Sequence, residues 1–316
     1  MSTERYIHPL TDFGFKKLFG SEPNQDILKH FLNSLLPEKH HIASLSYDKN
    51  EHLGQGIVDR KAIFDIYCVS ESGERFIVEV QKAKQTHFID RSLYYTTFPI
   101  QEQGKQGVWD FKLAATYSVN LLDFEVQEFA HTSRYIHRGR LKDEDNHVLS
   151  DKLAFIFIEL PKFTKTLEVL EDEVDKWLYV LRHLAALDTM PSVFDLEVFK
   201  KLFHEAALAT YSPQDRRVYE DSLKHYRDWN NILSTQLEEG IDIGQEKGIE
   251  IGRKEGIEIG REEGIEIGLD IGREEGIEIG GLRQAQNTAR QMKQEGMATA
   301  SIQRFTGLSL AEIDDL

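Results

Sequence analysis

The stretch IFDIYCVSESGERFIVEVQK, residues 63–82, contains two runs of strand-forming residues on either side of a short polar turn. Five residues separate Val69 from Arg75, which is a spacing typical of a β-hairpin loop. The hairpin predicted from this pattern joins a strand over 57–69 to a strand over 75–81. Because side chains alternate between the two faces of a strand, each run presents one apolar face and one more polar face.

Asp65 and Glu79 each lie seven residues from Ser72, so in a symmetric hairpin they are direct cross-strand partners. Like charges placed opposite each other destabilise a sheet unless something positive lies between them. Gln81 shares the Glu79 face of its strand, and Mg²⁺ or Mn²⁺ prefers such oxygen ligands. This pattern predicts a metal site. The alternatives are a solvated polar face and a bulge that breaks the pairing.

Working outward, helical spacing of apolar residues predicts a helix over 24–36, and a second helix is predicted over 87–103. Short apolar runs predict further strands over 42–49, 111–122 and 153–160. From Lys165 to residue 237 the periodicity is helical. The order of elements therefore predicts an α/β core with a mixed sheet flanked by helices, followed by a helical half.

Composition limits the classes of protein that fit. A single cysteine, Cys68, excludes an intramolecular disulfide, and no apolar run is long enough to cross a bilayer. A cytoplasmic protein with no membrane partner is expected. The net charge of −16 argues against nucleic acid as a partner. However, residues 238–280 hold 14 acidic and 5 basic side chains, which leaves −7 for residues 1–237.

Glycine occupies every fourth position from 240 to 280, within octads of the form GIEIGREE. Eleven glycines cost an isolated helix roughly 1 kcal/mol each relative to alanine. We interpret the segment as an extended helix that self-associates, so that residues 240–316 form a homo-oligomer. A flexible acidic spacer and short strands are the alternatives. Residues 283–316 suggest two short helices joined at Gly296 or Gly307.

Several blocks resemble a known family. Asp65 followed by Glu79-Val80-Gln81 resembles the PD-(D/E)XK nuclease motif, with glutamine in place of its usual lysine. More specifically, the chain resembles the Rpn family of recombination-promoting nucleases, which are transposases of the PD-(D/E)XK type. The blocks that carry this resemblance are TDFGFKKLFG, DRKAIFDIY, FIVEVQK, FIDRSLYYTTF, FIFIELPKF, DKWLYVL and TGLSLAEI.

The resemblance implies a PD-(D/E)XK core and a metal-dependent endonuclease that hydrolyses DNA in recombination, mobile-element biology or defence. Asp65 and Glu79 would bind the metal, and Gln81 would orient the water or the phosphate. Lys82 would lie on the opposite strand face from Glu79. The expected domains are a nuclease core over 1–163, a helical subdomain over 164–237, the repeat over 238–281 and a helical hairpin over 282–316.

Several other residues are candidates for substrate or metal binding. Arg91 could hold a phosphate and Tyr94 could stack on a base, although pairing with an acid and packing are the alternatives. Tyr95 is expected only to pack. Asp12 or Glu22 could add a third metal ligand, although a solvated or capping role is the alternative. The rival functions are a non-catalytic oligomerising protein on a nuclease-like fold, favoured by the acidic charge and Gln81, and a nuclease that cuts RNA.

Overall fold

The computed structural model describes residues 4–37, 40–48, 51–52, 62–104 and 110–316. The predicted strand over 57–69 therefore falls partly outside the described residues. The strands are β1 (Leu45–Tyr47), β2 (Glu51–His52), β3 (Ala62–Ile63), β4 (Ile66–Ser70), β5 (Arg75–Gln81), β6 (Thr116–Leu122), β7 (Ile136–Lys142) and β8 (Val148–Glu159). The helices are α1 (Asp12–Phe19), α2 (Gln25–Leu35), α3 (Phe88–Gln101), α4 (Glu173–His183), α5 (Glu197–Ala206), α6 (Pro213–Gln294), α7 (Thr299–Thr306) and α8 (Leu310–Asp314).

Six strands form one mixed sheet in the order β1-β4-β5-β6-β8-β7, and β2 pairs with β3 separately. The β5–β6 and β6–β8 pairs are parallel, whereas β1–β4, β4–β5 and β7–β8 are antiparallel. Helix α3 lies between the parallel strands β5 and β6 in the chain, as a crossover connection requires. The predicted α/β fold with a mixed sheet flanked by helices is confirmed.

One face of the sheet carries the main apolar core. Cys68 and Val78 are fully buried there together with residues of α1, α2, α4 and α5. Trp177 on α4 has no exposed surface and packs on Phe19, Phe31 and Phe199 of three other helices. The first helices and the helical segment after the sheet thus share one core.

The opposite face of the central strands is covered by α3. Tyr67 and Ile77 are buried there with Phe64, and Tyr95 and Phe98 of α3 pack against them. The expected packing role of Tyr95 is confirmed by its edge contact with Phe64, at 5.5 Å between ring centroids. Both faces of β4 and β5 are therefore covered, which buries the side chains of Glu79 and Gln81.

Besides the two-residue strand β2, two longer elements were not predicted. Helix α1 begins where the Thr11 hydroxyl accepts a hydrogen bond from the backbone N–H of Gly14. A Cβ at Gly14 would lie 2.2 Å from the carbonyl oxygen of His8. The close approach of these two parts of the backbone at this turn therefore requires glycine. The other missed element is β7, an edge strand in which four of the seven residues are exposed, so that it lacks the alternation of a half-buried strand.

The chain divides into two compact units, residues 1–231 and residues 232–316. The glycine repeat is helical and lies within α6. At the end of this second unit, Ile302 and Ile313 pack against Ala289, so α7 and α8 form a small cap on the last turns of α6. Gly296 and Gly307 both have positive φ and both separate helices there. Among the described residues, no helix is long and apolar enough to cross a membrane.

Candidate active site

The central hairpin places Asp65 and Glu79 across from each other. In the β4–β5 ladder, Ile66 pairs with Val78 and Tyr67 pairs with Ile77, without a shift of register. One further step of this ladder sets Asp65 opposite Glu79, as the sequence predicts. The bulge that would have broken this pairing is therefore not present in the described hairpin.

The two acidic residues are joined by reciprocal hydrogen bonds. The backbone N–H of Asp65 donates to Oε1 of Glu79 at 3.1 Å. The backbone N–H of Val80 donates to Oδ2 of Asp65 at 2.8 Å. Asp65 lies just before β4, outside the regular strand, so its carboxylate turns towards the neighbouring backbone. The pair is thus held by main-chain contacts at the end of the sheet.

Burial distinguishes this site from a solvated polar face. The Glu79 residue is only 4% exposed and Gln81 only 8%, so the interpretation of this face as solvent-facing is wrong. The Gln81 amide nitrogen donates to Oε2 of Glu79 at 3.1 Å. The amide nitrogen of Gln85 donates in turn to the Gln81 oxygen at 3.3 Å. Gln81 therefore orients Glu79, because it shares its strand face.

Of the two residues of α3 that were considered for substrate binding, one reaches the site. The Arg91 guanidinium lies 3.6 Å from Oε2 of Glu79 and also donates to Gln85. In this structure Arg91 therefore pairs with an acid, which is the alternative that the sequence left open. Tyr94 is 42% exposed and packs edge-on against Phe98, and it is not among the described residues that line the cavity beside the site.

A cavity of about 270 Å³ opens beside Asp65. Its lining residues come from α1, the end of β5 and α6, and they include Asp12, Asp65, Gln81, Lys82 and Trp229. Glu79 does not line the cavity. Lys82 follows Val80 on the other strand face from Glu79, as alternation predicts, yet Asp65 lies on this side too. Lys82 therefore lines the same cavity as Asp65, although it lies on the opposite strand face from Glu79.

Asp12 and Glu22, the two early acids, have different surroundings. Asp12 begins α1, lines the cavity with Asp65, and forms an exposed ion pair with Lys16 at 2.9 Å. Glu22 is exposed in a short 3-10 turn and is bonded to Gln25. Only Asp12 is close enough to Asp65 for its charge to act on that carboxyl group.

The electrostatics of the acidic pair follow from its burial. Desolvation raises the pKa of Glu79, and the nearby charge of Asp65 raises it further against the opposing effects of the Asp65 N–H, Arg91 and Gln81. Desolvation also raises the pKa of Asp65, opposed first by the Val80 N–H. Ionisation of one carboxyl group therefore disfavours ionisation of the other, and a cation bound between them would reduce this repulsion.

The donor chemistry fits a hard divalent cation. Mg²⁺ keeps several waters and is commonly bound through one or two carboxylates, which Asp65 and Glu79 can supply. In the described part of the chain, no group of three or more His, Cys, Asp or Glu side chains converges as a metal-binding cluster. The residues therefore fit an ion that keeps part of its water shell and do not fit a fully protein-bound ion such as structural zinc.

A prediction about stability follows from the raised pKa of Glu79. Because the folded state binds the proton more tightly, its free energy of unfolding falls as pH rises from the ordinary glutamate pKa, about 4.3, through the raised value. In chelator, wild type should lose about 1–3 kcal/mol between about pH 5 and pH 8 relative to Glu79→Gln, since one pKa unit is 1.36 kcal/mol. Urea unfolding of both proteins measures this difference. Parallel pH profiles would contradict the buried acidic pair.

Two residues of the site, Lys82 and Trp229, were not predicted from the sequence. Strand alternation places Lys82 on the opposite face from Glu79. Asp65 lies just before the regular strand and does not follow this alternation, so its position beside Lys82 could not be predicted. Trp229 had a usable signal: Tyr219, Tyr226 and Trp229 recur at helical spacing, so they lie near one side of a helix. The sequence did not indicate which other element this side of the helix packs against.

The comparisons agree with this geometry. A family model for the PD-(D/E)XK nuclease family transposases matches residues 9–236, which includes the whole sheet and the cavity. No curated protein and no solved structure matches the chain. The match spans well over half of the 316 residues and contains the hairpin with Asp65 and Glu79. The chain therefore belongs to the PD-(D/E)XK nuclease family transposases.

Proposed function

We propose that the chain is a metal-dependent endonuclease that hydrolyses phosphodiester bonds of DNA, with Asp65 and Glu79 as its metal ligands. The observation that carries the proposal is the acidic pair, whose carboxylates are fixed by main-chain N–H groups, with Asp65 at the wall of a cavity. Family membership supports a nuclease of this superfamily. Nicking of supercoiled plasmid in Mg²⁺ and in chelator tests the proposal.

Each side chain has a distinct part in this reaction. Asp65 and Glu79 hold Mg²⁺ or Mn²⁺, which, when bound, lowers the pKa of a water and offsets charge on a phosphoryl oxygen. Gln81 keeps the Glu79 carboxylate in position through its amide hydrogen bond. Arg91, 3.6 Å from Glu79, limits the repulsion between the acids.

Lys82 supplies the positive charge that glutamine at position 81 lacks. It lines the same cavity as Asp65. Burial lowers the pKa of the Lys82 ammonium group, and the charges of Asp12 and Asp65 partly oppose this shift. A lysine in this position can contact a phosphate oxygen of a bound strand. The net negative charge of the whole chain is consequently less of an obstacle to binding nucleic acid, because the cavity combines the proposed metal site with a positively charged side chain.

The nucleic acid is proposed to be DNA, and RNA is the second candidate. The family is one of transposases, which act in recombination or mobile-element biology, and this favours DNA. Defence against foreign DNA is the third setting. If labelled RNA of matched sequence is cut faster than DNA under the same metal, the substrate assignment is wrong while the metal chemistry stands.

Replacement of Gln81 tests its positioning role. Gln81→Ala removes the hydrogen bond to Glu79 and should lower the cleavage rate about 10- to 100-fold, which is the usual cost of losing a group that orients a metal ligand. Gln81→Lys should keep or raise activity, because it places a charged donor beside the same oxygen. Gln101→Ala, on the exposed part of α3, is the control. If Gln81→Ala and wild type cleave at equal rates, Gln81 does not position Glu79 and only packs beside it.

Residues 240–316 are proposed to assemble the protein as a homo-oligomer. A Cβ placed on any repeat glycine would meet no atom of the described chain within 4 Å, so the glycine positions are open to an outside partner. The repeat isoleucines are all between 49% and 72% exposed, and this amount of exposed apolar surface favours an interaction surface. A second copy of the same segment is the proposed partner, because closed symmetric pairing is the commonest form of association.

The rival function is that of a non-catalytic assembly protein on a nuclease-like fold. It predicts the same oligomer but no metal-dependent cleavage of DNA or RNA. The plasmid assay separates the two functions directly.

A further inference from the structure

We infer that Trp229 stacks on an unpaired base next to the scissile phosphate, so that the substrate is single-stranded or locally opened nucleic acid. The inference rests on the proposed nuclease function and adds its substrate class. It begins from an exposed aromatic side chain, 44% accessible, that lines the cavity beside Asp65 and Lys82.

The first turns of α6 explain why Trp229 lies there. Tyr219 is 2% exposed, and its hydroxyl accepts a hydrogen bond from the backbone N–H of His8 at 3.0 Å. Tyr226 is 9% exposed and packs against the His8 ring, with 4.4 Å between the ring centroids and 42° between the ring planes. Trp229, almost one turn further on, is beyond this packing surface. Its ring reaches the cavity wall while much of its surface stays in contact with solvent.

The position of Trp229 is tied to the catalytic strand. The Tyr226 hydroxyl donates to Oδ2 of Asp123 at 2.6 Å. The backbone N–H of Asp123 donates to the carbonyl oxygen of Gln81 at 2.9 Å. Helix α6 is thus anchored to the end of β5, only three residues before Trp229. The helical backbone that carries Trp229 is therefore fixed relative to the end of β5.

The chemistry around the ring matches one nucleotide. Lys82 provides a cation for the phosphate, Asp65 belongs to the metal site, and Trp229 offers a large π-face within the same cavity of about 270 Å³. In a duplex, both faces of each base are covered by its neighbours. A tryptophan beside the scissile phosphate can therefore stack only on a base that is unpaired or turned out of the helix.

The test uses the full chain with Ca²⁺ in place of Mg²⁺ and single strands that carry 2-aminopurine at successive positions, with gels to confirm that the strands stay intact. Wild type should quench the probe at one or two adjacent positions. Trp229→Leu, which keeps an apolar side chain but removes the π-face, should abolish that quenching and weaken binding of the single strand about tenfold. Binding of the matched blunt duplex should change less than about twofold, because only its two terminal base pairs present a free base face.

Trp229→Phe should restore most of the quenching, and Phe305→Leu, at an exposed aromatic in the C-terminal unit, should leave it unchanged. Equal quenching and affinity for Trp229→Leu and wild type would overturn the stacking inference, even if plasmid cleavage proceeds. A fall in oligomeric mass with unchanged base response would instead assign Trp229 to an interface between copies and also overturn it. Failure of wild type to bind or cut any nucleic acid would overturn the proposed function together with this inference.

Discussion

Replacing Asp65 by Asn or Glu79 by Gln will reduce the rate of Mg²⁺-dependent DNA cleavage by about 10³-fold or more. Loss of a metal-ligating carboxylate removes several kcal/mol of transition-state stabilisation, and about 4 kcal/mol corresponds to a factor of 10³. The amide variants are sharper than alanine variants. An amide oxygen can still accept the Val80 N–H or the Asp65 N–H, so no buried donor is left unpaired. Single-turnover cleavage of a labelled oligonucleotide measures the rates.

Asp90→Asn on α3 and Glu125→Gln after β6 are matched controls, since both side chains are exposed. They should cut at the wild-type rate. Thermal unfolding in chelator should show that Asp65→Asn and Glu79→Gln are folded and no less stable than wild type, because each removes one member of a buried like-charged pair. Either amide variant cutting as fast as wild type would remove that residue from the site.

A chain that ends at Leu237 will be monomeric and will still cut DNA in Mg²⁺. This end point follows the first compact unit, residues 1–231, and the region that matches the family, residues 9–236. The full protein should have a mass in solution that is a multiple of its 36.5 kDa chain. Light scattering measures the two masses, and the plasmid assay measures the activity. A truncated chain with the full oligomeric state would make the repeat a spacer. A folded truncated chain without activity would assign the tail to substrate binding.

The glycines of the repeat allow a finer version of this experiment. Alanine at Gly256, Gly260 and Gly264 meets no atom of the described chain within 4 Å and favours a helix by roughly 1 kcal/mol per position. A free helix would therefore become more stable. If two copies pack backbone against backbone, the added methyl groups should weaken the oligomer despite the better helix propensity. Unchanged assembly with higher helix stability would contradict close packing at these positions.

The hairpin could be predicted because its spacing is local. The strand β5 and the opposition of Asp65 to Glu79 depend only on loop length and side-chain alternation, which the sequence records directly. Helix α1 was missed because its N-terminus depends on a Thr11 side-chain cap within a glycine-containing stretch. Strand β7 was missed because an edge strand with exposed charges lacks the alternating pattern of a half-buried strand.

Burial of the site could not be read from the sequence. Glu79 and Gln81 look like a polar strand face until α3 covers them, and nothing in residues 75–81 records the position of α3. The cavity likewise combines Asp12 and Trp229, more than two hundred residues apart, around Asp65. Tertiary packing of distant helices determines both the burial and the cavity. Local spacing could therefore predict the two acidic residues but not the residues that surround them.

Nicking of supercoiled plasmid by the purified full chain tests the central claim most directly. We predict that wild type converts supercoiled DNA to the open-circular form in Mg²⁺ or Mn²⁺ and that chelator stops the reaction, since both carboxylates act through a bound ion. Asp65→Asn prepared in parallel should leave the plasmid intact. Wild type that leaves DNA intact with every divalent metal, or nicking that is equal in the variant, would contradict the assignment of Asp65 and Glu79 as a nuclease site.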